Sequence, residues 1–402
     1  MEPSPFHPIP RSHFHAPHPS SPPVRAPASA THKKTQEEED QKEAQRLDRA
    51  KGSVVGALCG DAIGTFLEFC EYEIDEQFAE FALSMPGGGH FQVGPGQVTD
   101  DGELTMCLLQ GLSYAEEFSE IEMTKSCGRY YIEWMNSKPF DCGITIGNAF
   151  YKVNPKYPEM IKKRADIYCQ DSQSNGSLMR STPLAVFCHR MEVPNTEDFK
   201  AEDWEKHRDC VFKMAKFDAS FTHSNKEVHY IEGLYIYMIT LIINGVELDK
   251  VYDIIVDEIS NSDNEVYYQW LEESKKDKLG NLSSKMGWMK HAFICCLRYL
   301  RLAAQELIDG KQPDSTFYTR SITEILIGGG DTDTNACIAG GLLGAIIGYE
   351  GLPKEMKDKV MNWDYKEHGG IKRPPFLVPK GKIDGLVEVV FSRAPAEMWK
   401  EE

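Results

Sequence analysis

The chain is 402 residues long, with a formal net charge of -18 at neutral pH and 41% hydrophobic residues. An acid excess of that size argues against a nucleic-acid duplex, held by phosphate neutralisation, as the main partner and points to small molecules or proteins instead. The eleven Cys lack paired metal-finger spacing, and Cys59, Cys107, Cys295 and Cys296 sit in apolar runs, which predicts a reducing, intracellular and most simply cytoplasmic setting.

In chain order, residues 1–46 come first: a Pro/His/Ser-rich stretch, then a charged one through Glu37-Glu38-Glu39-Asp40. With almost no large apolar side chains to bury, this segment is predicted to be a disordered tail. From Arg46 onward apolar residues recur every three or four positions, the helical period. The expectation is one compact all-α domain over residues 47–402, a monomer with no membrane association, since no apolar run reaches a bilayer's width. Residues 54–69 read as a helix whose small residues imply close packing. Within it, Asp61 reads as a hydrogen-bonded core carboxylate and Glu68 as the acid that faces a cleft. Residues 85–97, rich in Gly and Pro, read as a loop delivering the chain to Thr99. Beyond it Leu104, Cys107, Leu108, Leu112, Ala115 and Phe118 share a helix face, and Asp100 with Glu103 reads as a capping box that puts Asp100 and Asp101 in the first turn. Further helices are predicted over residues 127–135, 229–243, 248–259, 286–307 and 335–347, and residues 366–379 read as a surface loop.

Two clusters carry chemistry. Thr99-Asp100-Asp101 offers adjacent hydroxyl and carboxylate ligands where a loop enters a helix, a set suited to hard divalent cations. Asp331-Thr332-Asp333-Thr334 follows Gly328-Gly329-Gly330 and precedes a helix of small and apolar residues that has to be buried. Two carboxylates in that position are costly unless a cation neutralises them, whereas an ordinary capping Asp accounts for only one. Asn175-Gly176-Ser177-Leu178-Met179-Arg180 collects amide, hydroxyl, N–H and guanidinium groups suited to a diphosphate or sugar. His223 alone is more often structural than catalytic.

Taken together, Gly60-Asp61-x-x-Gly64-x-x-x-Glu68, Thr99-Asp100-Asp101, Asn175-Gly176-Ser177-x-Met179-Arg180, Thr222-His223 and Gly329-Gly330-Asp331-Thr332-Asp333-Thr334 resemble the motifs of the ADP-ribosylglycohydrolase family. The resemblance spans roughly residues 52–351. It implies a compact all-α fold with a binuclear site for two Mg2+ (or Mn2+) at the base of an ADP-ribose cleft. By the same resemblance Thr99, Asp100, Asp101, Asp331, Asp333 and Thr334 match metal-ligand positions. Glu68 matches the acid near the scissile bond, with Asp101 the alternative partner of the attacking water. Asn175, Gly176, Ser177, Met179, Arg180, His223, Gly329 and Gly330 match positions lining the cleft. The implied reaction releases ADP-ribose from a modified protein or a small ADP-ribosyl conjugate by hydrolysing an N- or O-glycosidic bond. Position 102 departs from the pattern, with Gly where Thr is frequent. Two alternatives stay open: a metal-dependent phosphohydrolase, because Asp331-x-Asp333-Thr334 has the form of a haloacid-dehalogenase nucleophile motif, and a catalytically silent binding or structural member.

Overall fold

A computed structural model describes residues 30–193 and 204–399. The chain divides into two compact units, Met1–Lys42 and Glu43–Glu402. The predicted tail differs from what is seen over its second part. Residues 1–29 lie outside the described residues, but α1 (Ala30–Gly64) begins well before position 46. The stretch 36–46 is dominated by Gln, Glu, Lys, Arg and Ala, which lose little on entering a helix. Gln36 Nε2 also donates to Asp40 Oδ1 one turn on, at 2.8 Å.

The second unit is built from α2 (Glu76–Leu83), α3 (Asp100–Tyr114), α4 (Glu120–Asn136), α5 (Ile144–Phe150), α6 (Met160–Tyr168) and α7 (Thr182–Cys188). These are followed by α8 (Glu205–Ala219), α9 (Lys226–Ile243), α10 (Leu248–Asn261), α11 (Glu265–Ser274), α12 (Met289–Ile308), α13 (Ser315–Gly328) and α14 (Thr332–Gly351). The last helices are α15 (Lys354–Asn362), α16 (Tyr365–His368) and α17 (Ile383–Arg393). No strand occurs among the described residues, only isolated bridges at Gly88–Val93 and Ser174–Trp288. The all-α expectation holds. Helices α3, α9 and α14 are buried on nearly every face, as helices apolar all round must be. Among the described residues no single helix is long and apolar enough to cross a membrane.

A glycine seam sets the geometry of the centre. Gly52, Gly56, Gly60 and Gly64 recur every four residues on one side of α1 and meet, in reverse order, Gly344, Gly340, Ala336 and Asp333 of α14. A methyl group at Gly60 would stand 2.0 Å from the Ala336 carbonyl oxygen, and one at Gly64 would stand 2.4 Å from Asp333 Cα. The two backbones therefore touch, antiparallel, without side chains between them. Thr332 Oγ1 donates to the Gly64 carbonyl at 2.8 Å. This contact holds the end of α1, and Glu68 just beyond it, against the first turn of α14.

The predicted capping box does not form. Thr99 is the N-cap of α3 but makes no side-chain cap bond. The first turn is held from outside instead: the Asp61 carboxylate accepts from Thr99 N at 3.0 Å, Thr99 Oγ1 at 2.9 Å and Gly102 N at 2.9 Å. A Cβ at position 102 would lie 2.8 Å from Asp61 Oδ2, so Gly in place of the frequent Thr makes room for this carboxylate. Glu103 turns away to accept from Arg373 Nε at 2.6 Å and Trp134 Nε1 at 2.7 Å. Arg373 is thus buried, and the 366–379 segment is not wholly the surface loop its composition suggests. A helix, α13, rather than a strand leads into the Gly-rich turn before Asp331, which removes the structural context a haloacid-dehalogenase nucleophile needs.

Candidate metal centre

The two acidic segments converge. Carboxylate oxygens of Glu68, Asp331 and Asp333 lie within 4.8 Å of one another, and all three residues are buried. Thr334 Oγ1 lies 3.4 Å from Asp101 Oδ2 although the residues are 233 positions apart, and Thr99 Oγ1 lies 3.4 Å from the same oxygen. The shorter bond of Thr99 to Asp61 uses its one hydroxyl hydrogen and leaves its lone pairs toward the centre. Asn175 Nδ2 donates to Asp331 Oδ2 at 2.8 Å and orients that carboxylate. In sequence Glu68 belongs to neither acidic segment. The structure places it within the carboxylate group, because the glycine seam brings the end of α1 onto α14.

The electrostatics are those of like charges held together out of water. Burial is the largest influence on Glu68, raising its carboxyl to about 8, with Asp141, Asp331 and Asp61 adding repulsion and a bond to Asp333 opposing it. Burial also drives Asp100, Asp101 and Asp333 well above the carboxylate range, and the charges that reinforce this are chiefly neighbouring acids. Asp61 is raised to about 7 by burial against the hydrogen bonds it accepts. Glu68 Oε2 and Asp101 Oδ1 are buried with no hydrogen-bond partner among the described residues. Oxygen-only donors, unmet lone pairs and uncompensated negative charge are what a hard divalent cation satisfies, so the residues fit Mg2+ or Mn2+.

Several residues assigned to a cleft by motif are buried. The Arg180 guanidinium is fully buried and committed: Nε donates to Asp218 Oδ2 at 2.9 Å, Nη1 to the Gly176 carbonyl at 2.9 Å, and Nη2 to Thr222 Oγ1 at 3.0 Å. No donor fork remains for a diphosphate. His223 is equally closed, its ring nitrogens 2.7 Å from Ser174 Oγ and 2.9 Å from Thr222 Oγ1. Both ring nitrogens are thus occupied by hydroxyl partners. Burial, then Arg180 and His229, lower this imidazole to about 3, so it is neutral. Gly176, Ser177 and Met179 are buried in the same layer, which supports Asn175 from below.

Gly329 and Gly330 do border open space. With φ of 69° and 78°, they form one wall of a cavity of about 970 Å³ shared with Glu71, Tyr72, Ser283 and Arg320. None of the centre's carboxylates lines that cavity. A smaller hollow of about 340 Å³ lies between residues 172–174 and 285–288. Its Gly287 would carry a methyl 3.5 Å from Asp331 Oδ2.

Asp141 escaped the sequence reading. It lies in the turn between α4 and α5, bonds to Asp100 and adds to the charge on Glu68 and Asp101. A single acid in a short loop has no periodic partner to mark it. Asp218 carried a weak signal, as an acid on the apolar face of α8 one turn before Thr222.

Comparison with known proteins follows this geometry. The family model described as ADP-ribosylglycohydrolase matches residues 42–388. A protein of Acanthamoeba polyphaga mimivirus assigned as an ADP-ribosyl glycohydrolase is 30% identical over 331 residues, covering 78% of this chain and 91% of its own. An ADP-ribosylarginine hydrolase of Pseudomonas putida is 24% identical, over 87% of this chain and 80% of its own. The fold is also similar to a solved structure titled ADP-ribosylglycohydrolase-related protein complex, with a TM-score of 0.57 at 18% identity over 88% of this chain and all of that one.

Proposed function

The chain belongs to the ADP-ribosylglycohydrolase family, and from that premise we propose that it hydrolyses the N- or O-glycosidic bond at the ribose anomeric carbon of an ADP-ribosylated protein or small conjugate, using two divalent cations. Removal of ADP-ribose is the family's general activity; the bond and the metals are the finer reading. The observation that carries it is the convergence of Glu68, Asp331 and Asp333 within 4.8 Å, in a buried group whose neighbouring charges are mostly acids. Thr99, Asp100, Asp101, Asp331, Asp333 and Thr334 would hold Mg2+ or Mn2+. Bound there, the ions supply Lewis acidity toward sugar hydroxyls and lower the pKa of water.

The chain's own groups do the rest. Asp61 and Asn175 orient ligands without leaving their hydrogen bonds. Glu68 is buried and its Oε2 has no competing partner, so it would be the group that hands a proton to the departing group. Asp101, whose Oδ1 also has no partner, would be the group that accepts from the attacking water. Carboxylates around the anomeric carbon stabilise its oxocarbenium character. The Pseudomonas putida relative's name specifies ADP-ribosylarginine, which makes an arginine N-glycoside the first substrate to try.

The test is release of ADP-ribose from chemically defined ADP-ribosyl-arginine and ADP-ribosyl-serine peptides, with magnesium and after chelation. Release from at least one peptide that disappears with EDTA and returns with magnesium is the expected result. Full turnover in EDTA removes the metals from the reading, and no release from either peptide removes the bond class.

A further inference from the structure

Behind the carboxylate centre, α9, α14 and the Leu178–Arg180 turn enclose polar groups that the chain leaves unmet. Glu232 of α9 is wholly buried, and neither of its carboxyl oxygens has a hydrogen-bond partner among the described residues. Ser177 Oγ lies beside that carboxyl and has no partner of hydrogen-bond geometry, and both polar side-chain atoms of Asn335 are in the same condition. The fold gathers these residues. Tyr235, one turn along α9 from Glu232, donates to the Ile338 carbonyl at 2.8 Å, and Ile338 is one turn along α14 from Asn335. Asn335 N donates to the Asp331 carbonyl at 3.0 Å, and Ser177 is two residues from Asn175, which bonds the Asp331 side chain. Glu232 and Asn335 each lie one turn from the Tyr235–Ile338 bond that joins the two helices.

Charge sharpens the point. Arg180 is the nearby cation, and Asp218 already matches it through a 2.9 Å ion pair. Glu232 is left as a surplus acid, pushed up to about 8 first by burial and then by Asp218. Protonation would silence the charge and let the carboxyl pair with Ser177, yet leave both polar atoms of the Asn335 amide without partners, in a protein interior that leaves few such groups unpaired. One carboxylate with neutral hydroxyl and amide oxygens is too little negative charge for a second divalent centre but suits a weakly charged hard cation. We propose that Glu232, Ser177 and Asn335 form an inner site for a monovalent cation, potassium or sodium, separate from the carboxylate centre. Such an ion ties the 175–180 segment to the first turns of α14 and so holds Asn175 against Asp331.

Rubidium is the probe. Crystals of the full chain grown in rubidium chloride should show an anomalous peak bounded by these three side chains. In solution, with chelator present to remove divalent ions, melting in potassium chloride should lie roughly 2 °C above melting in choline chloride of equal ionic strength, the size of shift that about tenfold saturation gives. Glu232→Gln should abolish the difference. Neither readout depends on the proposed hydrolysis. Ordered water without anomalous signal, equal melting in the two salts, or a Glu232→Gln protein that keeps the potassium effect overturns the proposal. If that variant does not fold, the rubidium map of the unaltered chain decides alone.

Discussion

Around Arg180 and around Asp331 the same chain buries charge in opposite ways. The Arg180 guanidinium spends its donors on Asp218, Gly176 and Thr222, and Tyr131 OH donates to Asp218 Oδ1 at 2.6 Å. That assembly carries its own counter-charge. Around Asp331 and Asp333 the neighbouring charges are acids, two carboxylate oxygens have no partner, and burial raises nearly every carboxyl involved. A self-neutralised network is what a fold uses for structure, whereas an uncompensated one has to be completed from outside the chain. The motif reading treated Arg180 and the carboxylates alike as parts of one cleft; only the presence or absence of a buried partner separates them.

The largest effect should come from Asp333→Ala. Turnover of an ADP-ribosyl substrate should fall by about four orders of magnitude, while the metal-free protein melts no lower than the parent, since a crowded carboxylate has been removed. Single-turnover hydrolysis and melting in chelator measure both, and parental activity would show that the two acidic segments do not form one site. Asp218→Asn should do the reverse. It leaves Arg180 buried with a weakened partner and should lower unfolding free energy by about 3–5 kcal/mol in urea titrations, with the carboxylate centre untouched. A loss under about 1 kcal/mol would break the contrast between the regions.

Glu68→Gln sharpens the comparison inside the centre. The rate should drop by about two to four orders of magnitude, the range for a lost acid–base group, while magnesium affinity changes less than about tenfold because the amide oxygen remains a donor. Calorimetric titration beside single-turnover kinetics separates the two roles; unchanged hydrolysis would leave Asp101 as the remaining proton-transfer group.

The smallest effect is on pH dependence. Glu68 is raised from 4.5 to about 8 and Asp61 from 3.8 to about 7, so between these limits the folded chain binds more protons than the unfolded one. Stability in chelator should then be fully present at low pH and fall as pH rises from about 3.8 to about 8, and magnesium should restore more of it at the upper end. Melting curves across that range, with and without magnesium, check the sign. A chelated protein that gains stability over this interval contradicts the picture of crowded, desolvated acids.

Helical period, the four-residue spacing of Gly52, Gly56, Gly60 and Gly64, and the two acidic segments beside Gly-rich or loop sequence are all written locally. They were enough to establish the all-α class, the close packing of α1 and two of the acidic segments that converge, though not Glu68 or Asp141 as members of the group. Periodicity reports which face of a helix is buried and small residues report close contact, and neither needs knowledge of the partner. Partners themselves are decided between residues far apart in the chain. That Asp61 rather than a capping box holds the first turn of α3, that Glu103 belongs to Arg373, that Arg180 and His223 are buried and fully bonded, and that Asp141 joins Asp100 follow only from tertiary contacts. A buried ionisable group takes its role from what compensates its charge, and compensation is a property of three-dimensional neighbours that no local pattern records.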